Sequence, residues 1–188
     1  MNTLVHPAPA WLPVAANAIG FNVVWFITVF GAAAGLAWAG PAAFAVFAAM
    51  QVSGAVRPRY DVAAMLVFAS AGLFLDSAWS LAGALSYSAG WPSPHFTPVW
   101  LLTLWAAFAL TLGHSLAWLR PRPRLAALFG FFGGGFSYAV GARVGAVELA
   151  IPLWIYAVGV GLVWAVALPA LVHFTTRVAR RRLPAHQR

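Results

Sequence analysis

Few side chains in this chain can do chemistry. Its 188 residues hold three acids (Asp61, Asp76 and Glu148), eleven bases, all of them Arg, five His and no Cys. Without Cys there is no thiolate nucleophile, disulfide or iron–sulfur ligand set. Asp76 is the most informative group. It lies in Leu73-Phe74-Leu75-Asp76-Ser77-Ala78-Trp79, inside a long apolar run. A carboxylate at such a depth in a membrane costs about 2.5 to 3.5 kcal/mol even on the lenient insertion scale. It therefore either carries a proton or contacts a ligand, or it fixes helix packing through an ion pair or hydrogen bond. Its expected partner is Arg143, with Glu148 as the nearest other acid. At 1.5 Å of helix rise per residue, Asp76 and Arg143 lie about 22 and 28 Å from the Arg-rich face. Asp76, Arg143 and Glu148 are thus expected to form one cluster on the outer side, with a structural ion network favoured over a catalytic one.

A second polar layer is expected near the inner side, from Asn17, Asn22, Gln51 and His114. His114 titrates near neutral pH as a type and suits a proton shuttle. The favoured reading is a neutral ring hydrogen-bonded to an amide or carbonyl. The two layers lie about 14 Å apart in depth, which separates His114 from Asp76 and argues against a Ser-His-Asp arrangement. A haem held by His114 and His173 is disfavoured by their unequal depths. Gly133-Gly134-Gly135 lacks the G-x-G-x-x-G spacing and a preceding strand, and no H-E-x-x-H or P-loop occurs. No cofactor or metal is expected.

The elements that must position these groups are membrane spans. The chain is 63% hydrophobic and 7% charged, whereas a soluble domain is about one quarter charged. The fold class is all-α, a polytopic transmembrane bundle. Six spans are read at about 15–38, 41–56, 61–86, 97–119, 124–141 and 149–172, followed by a basic tail over 173–188, all in one membrane domain. The second is short and the fifth rich in Gly, so five spans is the alternative. Gly31/Gly35, Gly130/Gly134 and Gly141/Gly145 have the spacing of close helix packing, and a broken helix lining a site is the other use of such segments. Six spans bring Arg57 and Arg59, Arg120, Arg122 and Arg124, and the tail Arg residues to one side. The positive-inside rule makes that side cytoplasmic, with both termini there. The first fourteen residues carry no Lys or Arg, and the first apolar stretch is too long for a signal core, so it reads as a retained span. Trp11, Trp38, Trp91 and Trp100 fall near span ends, as aromatic belts do. A faint echo between Phe21–Thr28 and Phe96–Thr103 reads as chance in so apolar a chain.

From about Asn17 to Pro169 the chain resembles a family of small bacterial inner-membrane proteins known only as a domain of unknown function. The residues that carry this are Asn17, Phe21-Asn22, Trp25-Phe26 and Gly31-Ala32-Ala33, Gly72 with Leu75-Asp76, and Pro98-Val99-Trp100-Leu101 with Leu104-Trp105. His114-Ser115-Leu116, Trp118-Leu119, Ser137-Tyr138, Gly141 and Gly145-Ala146-Val147 complete them. Asn22 and Gly135 stand where the family pattern has Gln and Pro. The resemblance implies a multi-pass protein of the bacterial inner membrane and brings no activity. More weakly, Pro94-His95-Phe96-Thr97-Pro98-Val99-Trp100 is similar to the signature of the tryptophan-rich sensory and translocator proteins, which implies five spans and porphyrin or sterol-like ligands.

The leading functional reading is non-enzymatic: binding or passing a small hydrophobic molecule or lipid, or serving as an accessory subunit of a membrane enzyme. A side-opening cavity at Asp76, Trp79 and Tyr138 would favour binding or catalysis. The rival is an intramembrane lipid-modifying enzyme using Asp76 and Glu148 as acid or base, with Arg143 holding an anionic group. A proton-coupled transporter is third. The net charge of +8 points to membrane lipids, with anionic headgroups at the Arg-rich face, and to a membrane-protein partner, not to nucleic acid.

Overall fold

A computed structural model describes residues 11–53 and 58–181. Arg57, Arg182, Arg188 and the end of the expected tail lie outside the described residues. Six helical rods run in alternating directions. The first three are α1 (Trp11–Ala33), α2 (Ala39–Ser53) and α3 (Pro58–Leu81). A short strand β1 (Leu85–Tyr87) follows, then α4 (Val99–Thr111). The fifth rod is α5 (Pro123–Phe129), a π-helical turn over Gly130–Gly134 and α6 (Gly135–Arg143), in one line. After strand β2 (Val147–Leu149) comes the long α7 (Leu153–Arg181). Four rods, Trp11–Ala33, Pro58–Leu81, Pro123–Arg143 and Leu153–Ala179, are long and apolar enough to cross a membrane, while Ala39–Val52 and Val99–Thr111 are shorter. Phe26, Phe30, Val46, Phe74, Phe136, Leu162 and Val166 lie exposed on the outside, a surface suited to lipid and not to water. This is an all-α membrane bundle.

Proline starts the rods and glycine stops them. Pro58 and Pro123 open α3 and α5, where the missing N–H has no helical partner anyway. Gly35, Gly83 and Gly145 follow α1, α3 and α6 with φ of 77°, 70° and 88°. At each, an amide further on reaches back: Leu36 to the Gly31 carbonyl at 2.8 Å, Ala84 to Trp79 at 3.0 Å and Ala146 to Gly141 at 2.9 Å. This is the left-handed glycine cap. It corrects one of the expected packing motifs, because the spacing Gly141/Gly145 is cap geometry; in Gly31/Gly35 the second glycine caps the helix while the first packs closely, a Cβ at Gly31 standing 2.5 Å from Ala39. A side chain at Gly35, Gly141 or Gly145 would meet no atom within 4 Å. Gly130/Gly134 does pack closely, as described below.

Helix ends also differ from the expected spans. Leu85 and Ser86, expected at the end of the third span, belong instead to β1, which pairs antiparallel with β2, Ser86 opposite Glu148. This hairpin-like ladder ties the α3–α4 connection to the α6–α7 connection. The fourth helix stops at Thr111, eight residues short of the expected Leu119, and passes through turns into a 3₁₀ turn at Ala117–Leu119. At the ladder end, Trp38 and Trp91 also join the α1–α2 and α3–α4 connections, with ring centroids 4.8 Å apart. Arg59, Arg120, Arg122, Arg124 and Arg177 fall at the opposite end, where Arg120 lies over the Tyr60 ring at 5.0 Å.

The core is aromatic and centred on α4. Trp105 and Trp164 stack with centroids 4.3 Å apart and planes 19° from parallel. Two glycines make room for this pair. A Cβ at Gly72 of α3 would stand 2.5 Å from Trp105, and one at Gly134 would stand 2.6 Å from Trp164. So α3, α4, α7 and the π turn meet around two indoles.

Candidate functional site

A cavity of about 290 Å³ lies between α1, α4, the α5–α6 rod and α7. Its floor is Leu104, Trp105, Trp164 and Leu168, all buried. Its mouth is flanked by Asn22 and Phe26 of α1 and by Phe129, Gly133 and Phe136 of the fifth rod, all exposed. It therefore opens sideways, between two helices, toward the surface that suits lipid. At one end of the gap Trp25 closes the two sides with an indole N–H donated to the Ser137 hydroxyl at 2.8 Å. The π turn helps to shape the wall. Its extra residue per turn sits at a run of Gly, and such π segments recur at functional positions.

Asp76 stands behind this wall and not in it. Its Oδ2 accepts the Trp105 indole N–H at 2.6 Å and the Tyr138 hydroxyl at 2.9 Å. Both donors line the cavity. The residue is 3% exposed. Tyr87 donates its hydroxyl to the Asp76 main-chain oxygen at 3.0 Å. Tyr87 lies in β1, outside the helices, and burial pushes its hydroxyl above the ordinary tyrosine range, so it remains a donor. The carboxylate thus holds two wall side chains in place from behind.

This corrects the expected outer cluster. Asp76 does not pair with Arg143 or Glu148: its side-chain partners are the indole and the phenol. Arg143 ends α6 and Glu148 sits in β2, both exposed, lining one shallow depression of about 440 Å³. Among the described residues the one ion pair is His114 with Asp61. The misplacement came from depth alone, because equal depth on two helices says nothing about which faces meet. Trp79 is likewise displaced from the expected lining. It packs edge-on to Tyr156 at 5.5 Å and over Gly159 of α7. Tyr138 does line the cavity.

At the Arg-rich end the expected inner layer is largely assembled. Asn17 is fully buried, donates to the Gln51 side-chain oxygen at 2.9 Å, and accepts from the Ser115 amide at 3.1 Å and hydroxyl at 2.6 Å. His114 Nε2 lies 3.2 Å from Asp61 Oδ2. Asn22 is the exception: it bonds to the Ala18 carbonyl of its own helix at 2.8 Å and belongs to the cavity mouth. Sequence reasoning missed Asp61, Ser115, Trp105 and Ser137. The signal for Asp61 was present, since an acid in the first turn of a span lies at the same depth as the end of the next one. Thr97, in the Pro94–Trp100 run, is a connector: its amide and hydroxyl bond to Ser77 at 2.9 Å each. Among the described residues no three His, Asp or Glu side chains gather as a metal site.

No curated protein and no solved structure matches this chain. The family described as protein of unknown function (DUF2878) matches residues 14–170, which takes in every helix that lines the cavity and both polar layers, and the chain belongs to that family.

Proposed function

We propose that this protein is a six-span, multi-pass protein of the bacterial inner membrane that binds a small hydrophobic molecule through the side-opening cavity. The single observation that carries this is the cavity wall. It is mostly aromatic and aliphatic, it faces the lipid-suited surface between α1 and the fifth rod, and two of its polar side chains, Trp105 and Tyr138, are turned inward onto Asp76. Pockets that hold small molecules are mostly apolar with a few fixed polar groups. Its size, about 290 Å³, stands at the small end of the usual range of about 300 to 1,000 Å³. The span count rests on the alternating rods, with the Arg-rich end cytoplasmic by the positive-inside rule. A non-enzymatic role is favoured because the wall hydroxyls are engaged, Ser137 by the Trp25 indole N–H and Tyr138 by Asp76. A transporter reading lacks a polar path between Asp76 and the His114 layer.

Mass spectrometry of protein gently extracted from its own membrane tests the binding. A defined hydrophobic molecule is expected with the native chain and not with Gly133→Leu, which fills the cavity from a position where a Cβ meets only the Phe129 ring at 3.7 Å. Equal loading of both proteins refutes the site. The natural lack of Cys makes the threading a separate test: His95→Cys and Arg124→Cys are expected to label from opposite sides of sealed vesicles.

A further inference from the structure

Two helices send a buried polar side chain into one irregular stretch of backbone, and a third supports one of them. α4 ends at Thr111, and residues 112–116 form turns. Asn17 of α1 holds the Ser115 amide and hydroxyl, Gln51 of α2 accepts from Asn17, and Asp61 of α3 meets His114. Asp61 is 1% exposed, and its Oδ1 is buried with no partner. Gly113 lets that oxygen lie against the turn, because a Cβ at 113 would collide with it. A fold that needed only to end a helix here has the glycine cap used at the other end. This arrangement instead presents His114 with its ring fixed from behind and its side chain 23% exposed. Among the described residues Nδ1 has no protein partner.

Arg120 rests on the same turn of α3. Its guanidinium lies 5.0 Å from the centre of the Tyr60 ring, and Tyr60 adjoins Asp61. Arg122 and Arg124 are exposed beside it. Among the described residues the only carboxylate in the neighbourhood is Asp61, and His114 lies against it. What the surface offers is therefore an oriented imidazole and a half-buried guanidinium, framed by further Arg. With Nε2 taken by Asp61, the ring nitrogen left for a ligand is Nδ1, and Arg beside a second polar group is the arrangement that grips phosphate oxygens.

We propose that the 112–122 turn is a binding site for a phosphate monoester group, held by His114 and Arg120, with Asp61 as a positioning residue for the imidazole. The chemistry is shared by a phosphate-headed lipid and by free phosphate. The lipid source rests on the reading that the Arg-rich end lies at the headgroups.

The test is native mass spectrometry of the whole protein released from phosphatidylcholine nanodiscs containing a minority of phosphatidic acid, with a parallel arm of inorganic phosphate added to pure phosphatidylcholine discs. Phosphatidic acid is expected to be retained over phosphatidylcholine. His114→Gln and Arg120→Gln are each expected to weaken retention about tenfold, the value of one charge-assisted bond. Arg124→Gln, an exposed Arg on the same face, changes it little. Asp61→Asn is expected to lower retention while leaving binding at the side cavity unchanged, which separates positioning from a general loss of fold. Retention of inorganic phosphate with the same dependence on His114 and Arg120 supports the site and assigns a soluble source. Equal weakening by all three Arg and His variants overturns it, as diffuse attraction only. So does the absence of selective retention. Because vesicle labelling reads the threading independently, failure here with labelling unchanged removes this site and leaves the span reading intact.

Discussion

Replacing Asp76 by Ala removes the acceptor shared by Trp105 and Tyr138, 2.6 and 2.9 Å away. Stability is a poor readout of this change. Two stranded buried donors cost about 1 to 3 kcal/mol each, but taking a carboxylate out of an apolar bundle returns about 2.5 to 3.5 kcal/mol. The terms oppose each other at similar size. Ligand affinity is not balanced in this way. Both donors are wall side chains of the cavity, and once untethered each must be immobilised again when a ligand packs against it. That costs about 0.5 to 1.5 kcal/mol per side chain, or about 1 to 3 kcal/mol for the two, which is about a five- to 150-fold loss of affinity. The assay is titration of the purified protein with pyrene, read by energy transfer from the wall indoles Trp105 and Trp164. Asp76→Asn keeps one acceptor oxygen and is expected to fall between Ala and the native chain. Unchanged pyrene affinity in Asp76→Ala would refute the claim that the carboxylate acts by holding the wall.

Gly134→Ala is expected to destabilise by about 1 to 3 kcal/mol in an SDS-unfolding titration, because its Cβ would press on Trp164 at 2.6 Å. Gly133→Ala, one residue away with only the Phe129 ring 3.7 Å off, is expected to be neutral or to stabilise by up to about 1 kcal/mol. Asn17→Ala strands the Ser115 amide and hydroxyl and should cost about 2 to 4 kcal/mol in the same titration. Gly113→Ala should displace the Asp61 carboxylate, read as a changed His114 ring signal in a histidine-labelled NMR spectrum; an unaltered signal would show that the carboxylate keeps its place beside the ring.

The sequence announced the membrane class, the helices and the inner polar layer, because these follow from composition, apolar run length and position relative to the Arg clusters. Depth along a span was also legible: Asp76 and His114 do lie in separate networks. Azimuth was not. Which face of α3 carries Asp76 depends on the Gly72–Trp105 contact, a pairing between helices that no local pattern encodes. Arg143 matched Asp76 in charge and height and still points elsewhere. The glycine spacings misled for a related reason. A Gly four residues after another suits both a packing ridge and a left-handed cap, and only the chain direction after the second Gly tells them apart. The early end of α4 was hidden because Leu112, Leu116 and Leu119 continue the apolar run through residues that are not α-helical.

The two ends of the bundle solve the same problem differently, and the difference points to function. Every helix must satisfy its last carbonyls and the backbone beyond them. At the ladder end three glycine caps do this with backbone alone, and the β1–β2 pairing satisfies the connections. At the Arg-rich end the stretch after α4 is closed by backbone too, with the Leu116 amide on the Thr111 carbonyl at 2.7 Å, but side chains also hold it: Asn17, itself bonded to Gln51, on Ser115, and Asp61 on His114. Buried polar groups are costly inside a membrane. The additional polar groups do one thing a glycine cap cannot: they fix His114, with its ring part exposed, beside Arg120. The side cavity shows the converse economy, since its polar donors are drawn inward to Asp76 and its wall is left apolar. One end of the molecule therefore displays polar groups and the middle conceals them.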